Sequence, residues 1–270
     1  MDTPQLVVVD LDGTAVGHHA RLIPPTPAVV KALADTRAAG VPVAVATGRP
    51  LWDALRTIAE LGLTDGLVTT TDGALTYDLG RQRIVSVRGM DPGPALRGFA
   101  EVDAELAFAV ERDTSGWYYT SNFDRFFEST WAAEATVDEM AASEVFRLSV
   151  RMPGVFGARG VPCPVAARVT AEAGLDAGLY NVTAGYGGWI DVCSSEVSKA
   201  TGAAAVASYY GVDAADTIVF GDAANDLPMF AWAGHAVAMG QSVDAIKEAA
   251  DEVAPSVNED GVAVVLRRWF

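Results

Sequence analysis

The sequence predicts a doubly wound, mostly parallel α/β sheet interrupted by an inserted α+β domain. Three observations carry this. Apolar strand-like runs alternate with helix-like stretches at both ends of the 270-residue chain, which is how βα units feed a parallel sheet. Those strands read as nearly continuous apolar runs, as expected where helices cover both faces of a sheet. From about Arg83 to Ile190 the texture changes to scattered strands and helices rich in aromatic residues. Residues 1–82 and 191–270 are therefore expected to form one interrupted core, and 83–190 an insert.

In chain order, Leu6 to Asp10 reads as strand, Thr26 to Ala39 as helix, Val41 to Thr47 as strand and Leu51 to Leu61 as helix. Gly40 and Gly62 stand where helix C-termini place glycine. Within the insert, "RIVSVR", "LAFAV", "FRLSVRM" and "LYNVTA" are strand candidates, with helices expected near Pro94 to Val102, Thr130 to Ala142 and Cys163 to Ala173. The aromatic segment "SGWYYTSNFDRFFEST" is expected to serve the insert's own core rather than a ligand box. The core pattern resumes with helix Val197 to Tyr210, strand Thr217 to Asp222, helix Asn225 to Ala233, strand Ala236 to Met239 and helix Val243 to Ala250.

Composition narrows the function. Half of the residues are hydrophobic, yet the apolar runs are far shorter than the ~20 residues a spanning helix needs. The N-terminus lacks the basic start and apolar stretch of a secretory signal, so a cytoplasmic protein is expected. Cys163 and Cys193 make no disulfide framework and read as free thiols. Acids outnumber Lys plus Arg by 35 to 19, a formal charge of −16, which argues against nucleic acid as a partner. An enzyme of this charge that handled anionic substrates would need local cations, and a divalent metal ion is the obvious source.

Aspartate is costly to bury unpaired, so the strand ending in "DLDGT" leaves the core abruptly. Side chains two apart on a strand point the same way, so Asp10 and Asp12 can converge beyond the C-terminal sheet edge, where open α/β sheets bind ligands. Alone, such a pair also describes solvated turn acids. Three further segments strengthen it. "VAVATGRP" places the Thr47 hydroxyl and the close-approach backbone of Gly48 at the corresponding edge; a helix N-cap would explain Thr47 equally well. "TIVFGDAAND" brings Asp222, Asn225 and Asp226, more polar groups than one helix cap requires. Lys199 in "EVSKATG" opens a helix, where the macrodipole disfavours a cation, and so hints at an anionic partner. Carboxylates, a hydroxyl and an ammonium at one edge suit Mg²⁺ and a phosphate.

With "DLDGT", "ATGR", the lysine of "VSK" and "GDAANDLPM" in that order, the sequence resembles the haloacid dehalogenase-like phosphatases, and among them the Cof-type subfamily, whose cap is inserted between the second and third motifs. The resemblance is carried by both core segments; over the insert only position and size match. It implies a Rossmann-like catalytic core, a cap domain and a phosphomonoesterase working through an aspartyl-phosphate. Asp10 would be the nucleophile and a metal ligand. Asp12 would be general acid and then base, giving its backbone carbonyl to the metal. Thr47, Gly48, Lys199 and Asn225 would surround the phosphoryl group, Asp222 would ligate Mg²⁺, and Asp226 would orient metal-bound water.

Two positions depart from the family pattern. Asp72 in "TTDGAL" stands where relatives usually carry Asn, and Asp191 in "WIDVCSSEVSK" stands near the place of a usual acid. Arg49, Arg112 and Arg147 are candidates for a second anion on the substrate; His18, His19 and His235 read as solvated or structural. The expected activity is hydrolysis of a small phosphomonoester such as a sugar phosphate. A phosphosugar mutase using the same nucleophile is the nearest competitor, and a receiver-like phospho-aspartate switch the more distant one, disfavoured by the large insert. Substrate identity and oligomeric state are silent in the sequence.

Overall fold

The structure, a computed structural model, describes residues 2–17, 24–112, 114, 116–123, 131–155, 163–184 and 187–270. His18, His19 and residues 124–130 of the aromatic segment lie outside these. The chain opens with β1 (Leu6–Val9), α1 (Pro27–Ala38), β2 (Val43–Ala46), α2 (Leu51–Glu60), β3 (Leu67–Thr70), β4 (Leu75–Asp78) and β5 (Arg83–Val87). Thr26 caps α1, its hydroxyl accepting from the Val29 amide at 3.3 Å, and Pro27 takes the first turn, where no N–H partner is needed.

The middle of the chain holds α3 (Gly93–Val102), β6 (Ala107–Glu111), β7 (Gly116–Tyr119), β8 (Trp131–Glu134), α4 (Val137–Ala141), β9 (Arg147–Arg151), α5 (Pro164–Ala173), β10 (Tyr180–Ala184) and β11 (Trp189–Ser194). The remainder supplies α6 (Lys199–Tyr210), β12 (Thr217–Gly221), α7 (Leu227–Trp232), β13 (His235–Ala238), α8 (Asp244–Glu248), β14 (Glu252–Val253) and α9 (Gly261–Leu266). Among the described residues, no helix is long and apolar enough to cross a membrane.

Two compact units result: residues 1–49, 53–86 and 198–270 form one, and residues 50–52 and 87–197 the other. The first unit's sheet runs β14-β13-β12-β1-β2-β3-β4-β5. It is parallel from β14 to β3, and β4 returns antiparallel to β3. Alternate residues of β1 enter different cores. Val7 and Val9 pack with Leu33, Val45, Phe220 and Val262, whereas Leu6 and Val8 pack with Ala44, Ala203, Val206 and Phe230. A strand buried on both faces has no place for alternation, which is why "LVVV" is apolar throughout.

The inserted unit's sheet runs β10-β11-β9-β6-β7-β8. One face of it, with Phe108, Val110, Leu148, Val150 and Ile190, meets Leu96 and Phe99 of α3, Met140 of α4 and Val169 of α5. Each such fully buried side chain contributes roughly 1.5–3 kcal/mol. A second cluster holds Ala107, Ala109, Trp117, Tyr119 and Phe123, so these aromatics pack within the insert.

Three details differ from the sequence reading. Arg83–Val87 joins the core sheet beside β4, so the first boundary falls after Ser86. At the other end β11 stays antiparallel to β10 as far as Ser194, which carries the boundary to Val197. The expected helix over Thr130 to Ala142 is split: Trp131–Glu134 pairs parallel with β7, and helix begins only after Thr136, which forms a capping box with Glu139. Strand pairing outweighs the strong helical preference of the alanines there, and the Thr136 cap fixes the helix start.

Candidate active site

Register brings the motifs to one edge. Val9 lies opposite both Phe220 and Val45, so Asp10, Thr47 and Asp222 leave adjacent strands of the first unit at the same C-terminal end. The Asp10 amide still donates to the Phe220 carbonyl at 3.0 Å, and that of Thr47 to the Thr69 carbonyl at 3.0 Å. Gly13, at φ +86, takes a backbone conformation that a side chain would oppose and lets the chain turn, its amide donating to Val16 at 2.7 Å.

Lys199 is the hub. It is the first residue of α6, behind the Ser198 cap, and its ammonium donates to Asp10 Oδ1 at 2.7 Å and to Asp226 Oδ1 at 2.6 Å. Its side chain is only 1% exposed. Burial alone would lower the Lys199 pKa, but the charges of Asp10, Asp226 and Asp72 outweigh it and hold the ammonium well above its ordinary range. Burial pushes the Asp10 carboxyl up; Lys199 opposes this, while Asp226 and Asp222 add to it. Asp226 is gripped from its other side, Oδ2 accepting from the amides of Asp222 at 2.8 Å and Ala223 at 2.9 Å. That placement needs Gly221, because a Cβ there would lie 2.4 Å from Asp226 Cγ.

Asp10, Asp222 and Asp226 each offer a carboxylate oxygen, all within 4.8 Å of one another. An all-oxygen, all-carboxylate set of this size fits a hard divalent cation such as Mg²⁺. Asp226 spends its oxygens on Lys199 and two amides, which suits it to orienting what surrounds an ion.

The Asp12 side chain is not part of that cluster. Arg49 holds it in a fork, Nε donating to Oδ2 at 2.6 Å and Nη2 to Oδ1 at 2.5 Å. Arg49 in turn donates to Thr57 at 2.9 Å and stands 4.0 Å from Asp53. Burial would lower the arginine's pKa, and the hydrogen bond and charge of Asp12 raise it instead. The sequence reading offered Arg49 to a substrate anion and missed this pairing. These further partners, Asp53 and Thr57, lie four and eight residues beyond Arg49, in α2.

Thr47 is buried, its hydroxyl accepting from the Arg49 amide at 3.1 Å. Asn225 donates through Nδ2 to Asp72 Oδ1 at 2.8 Å. Asp72 has φ +54, a left-handed conformation that Asn and Asp tolerate best among residues with side chains.

The remaining candidates lie elsewhere. Arg147 pairs with Glu111 at 3.2 Å and stacks on Trp117, Arg112 stacks on Tyr118, and Asp191 accepts from Ser149, all within the inserted unit. His235 meets Glu252 at 3.1 Å. Cys163 and Cys193 form no disulfide.

Residues 7–266 match the haloacid dehalogenase-like hydrolase family. The HMP-PP phosphatase of Serratia proteamaculans is 27% identical over 282 residues, spanning 98% of this chain and 95% of that protein. The 5-amino-6-(5-phospho-D-ribitylamino)uracil phosphatase YitU of Bacillus subtilis is 42% identical over 81 residues, 30% of each chain. Among solved structures, that of the HAD subclass IIB sugar phosphatase BT4131 has a TM-score of 0.80 at 20% identity, covers 98% of both chains and shares the fold. With its family match running almost from end to end and its motifs gathered at one sheet edge, the chain belongs to the haloacid dehalogenase-like hydrolases and is an enzyme of their phosphatase type.

Proposed function

We propose that the protein hydrolyses a small phosphomonoester, such as a sugar phosphate, through a phosphoryl group carried transiently on Asp10, and that it depends on Mg²⁺. The observation that carries this is the buried ammonium of Lys199 set between Asp10 and Asp226, with Asp222 alongside. Such an arrangement holds one carboxylate oxygen while leaving the group able to attack phosphorus in line.

Asp10 and Asp222 would hold the ion through their side chains and Asp12 through its backbone carbonyl, with Asp226 orienting the ion's water. The ion would supply positive charge against the transferring phosphoryl oxygens. Lys199, the Thr47 hydroxyl, Gly48 and Asn225 would share that load. Asp12 would pass a proton to the leaving oxygen and later take one from the hydrolytic water. Arg49 acts through Asp12, fixing the plane of its carboxyl group. In this reading the inserted unit, residues 87–197, forms a substrate-selecting cap and the substrate is a cytoplasmic metabolite. The phosphatase activities named for the relatives weigh for hydrolysis over return of the phosphoryl group to a sugar.

The test is steady-state phosphate release from a panel of phosphomonoesters, with and without Mg²⁺. Metal-dependent release that Asp10→Asn abolishes while remaining folded is expected. Release by that variant at the parent's rate would refute the assignment.

A further inference from the structure

We propose that Gln241 is a positioning residue for the candidate proton donor, fixing the turn that carries Asp12 against the strand end that carries Asp222. This rests on the phosphatase reading above. The turn after β1 is closed largely by its own backbone. The Gly13 amide donates to the Val16 carbonyl at 2.7 Å, that of Thr14 to Leu11 at 3.2 Å and that of Ala15 to Asp10 at 3.2 Å. The Gly13 carbonyl, one residue past Asp12, instead reaches out of the turn. It accepts from Nε2 of Gln241 at 2.6 Å, across 228 positions of sequence. Gly13, at φ +86, is the residue type with the widest backbone freedom, so a bond to its carbonyl supplies a restraint that no side chain there can.

Gln241 is itself held. Its Oε1 accepts from the Val257 amide at 2.9 Å. The segment between β13 and α8 that carries it is tied to the same sheet edge, the Met239 amide donating to the Gly221 carbonyl at 3.0 Å, one residue before Asp222. Gly240 has no room for a side chain, since a Cβ there would lie 2.9 Å from both the Ala254 carbonyl oxygen and the Ser256 nitrogen. The Ser242 amide donates to the Met239 carbonyl at 2.9 Å, so the backbone is anchored on both sides of Gln241. An amide side chain can donate to a carbonyl with one atom and accept from an N–H with the other, whereas a carboxylate can only accept. Arg49 thus fixes the carboxyl group of Asp12, and Gln241 the backbone that follows it. Proton transfer depends on both, because a displacement of about 1 Å at a reacting group can cost about 10²-fold in rate.

Gln241→Glu keeps an acceptor for the Val257 amide and sets a second acceptor against the Gly13 carbonyl; Gln241→Ala removes both bonds without adding charge. Gln241 is exposed, so water can replace it at its partners and both variants should fold. The measurements are kcat/KM at saturating Mg²⁺ on alkyl and aryl phosphates, and hydrogen exchange of the segment Asp10 to Val16 without substrate. Both variants should lose roughly tenfold or more on alkyl phosphates and less than about threefold on p-nitrophenyl phosphate, whose phenolate leaves without a proton. The amides of that segment should exchange faster than in the parent. Equal losses on the two substrate types, no loss on either, or exchange at the parent's rate would overturn the proposal. Should the parent show no Asp10-dependent hydrolysis, the phosphatase reading fails and the proton-transfer role with it, while faster exchange would still uphold the tie between Gln241 and the turn.

Discussion

Arg49 holds both oxygens of Asp12, at 2.6 and 2.5 Å, so the candidate proton donor is fixed by a two-point contact rather than left to swing in solvent. The first prediction follows from that fork. Asp12→Asn should reduce hydrolysis of alkyl phosphates by roughly 10²–10⁴-fold, and that of p-nitrophenyl phosphate much less, because a phenolate leaves without a proton. Arg49→Lys cannot reproduce the fork and should fall between parent and Asp12→Asn on the same leaving-group series. Equal losses on both substrate types would remove Asp12 from the acid role.

Lys199 separates two buried carboxylates. Replacing it with Met leaves Asp10 and Asp226 facing one another without a cation, a change that should destabilise the fold by about 3–5 kcal/mol and abolish turnover. Added Mg²⁺ should restore more stability to Lys199→Met than it gives the parent, since the ion would replace the missing charge. Thermal unfolding of both proteins with and without Mg²⁺ decides this, and an equal shift in the two would argue against an ion at that place.

The carboxylate cluster predicts metal-dependent stability in the absence of any substrate. At a Mg²⁺ concentration 100 times its Kd the native state should gain about 2.7 kcal/mol, seen as a higher Tm that a chelator reverses. Asp222→Ala should erase most of the gain while Asp222→Glu retains part of it. A Tm that ignores Mg²⁺ in the parent would count against the site.

Gly221 predicts a purely steric effect. A methyl group there would collide with Asp226, so Gly221→Ala should cost roughly 1–3 kcal/mol and loosen Asp226 from the Asp222 and Ala223 amides. Activity should fall further than stability alone explains, measurable as a reduced kcat well below the Tm.

A surface network gives a pH prediction. Burial raises the Glu252 carboxyl, but Arg268 at 2.6 Å and His235 at 3.1 Å prevail and hold it below its ordinary range. A carboxyl whose folded pKa is depressed contributes stability that is fully present above its unfolded value, near 4.3, and lost as pH falls through the lower folded value. Arg268→Met should therefore weaken the protein at neutral pH and flatten its acid unfolding below about pH 4.3. An unchanged acid limb would show that Glu252 does not depend on Arg268.

Much of this was legible in the residues themselves. The apolar runs of β1, β2 and β12, each followed at once by Asp or Thr, revealed both the strand ends and the edge at which they open, because an unpaired aspartate cannot remain in a two-sided sheet. The Lys199 signal was right in kind: a cation at a helix start had anions waiting for it. The Asp12–Arg49 fork was hidden, since nothing in one sequence tells an arginine that faces substrate from one that faces its own protein. β8 was hidden as well. "WAAE" carries helix-favouring alanines, and only its pairing with β7, which is a tertiary fact, makes it a strand. The antiparallel return of β4 likewise depends on Thr71 and Asp72, both at positive φ, a turn that neither residue type advertises strongly.

The pairing of β1 with β12, Leu6 opposite Thr217, has a cost in time. During synthesis the inserted unit's main stretch, contiguous from 87 to 197, is complete before the central strand's second neighbour exists. Until Thr217 leaves the ribosome, "LVVV" has one open flank and neither of its cores is whole, which leaves it open to nonproductive association. The carboxylate cluster therefore closes only when Lys199, Asp222 and Asp226, made after the insert, reach Asp10, made before it.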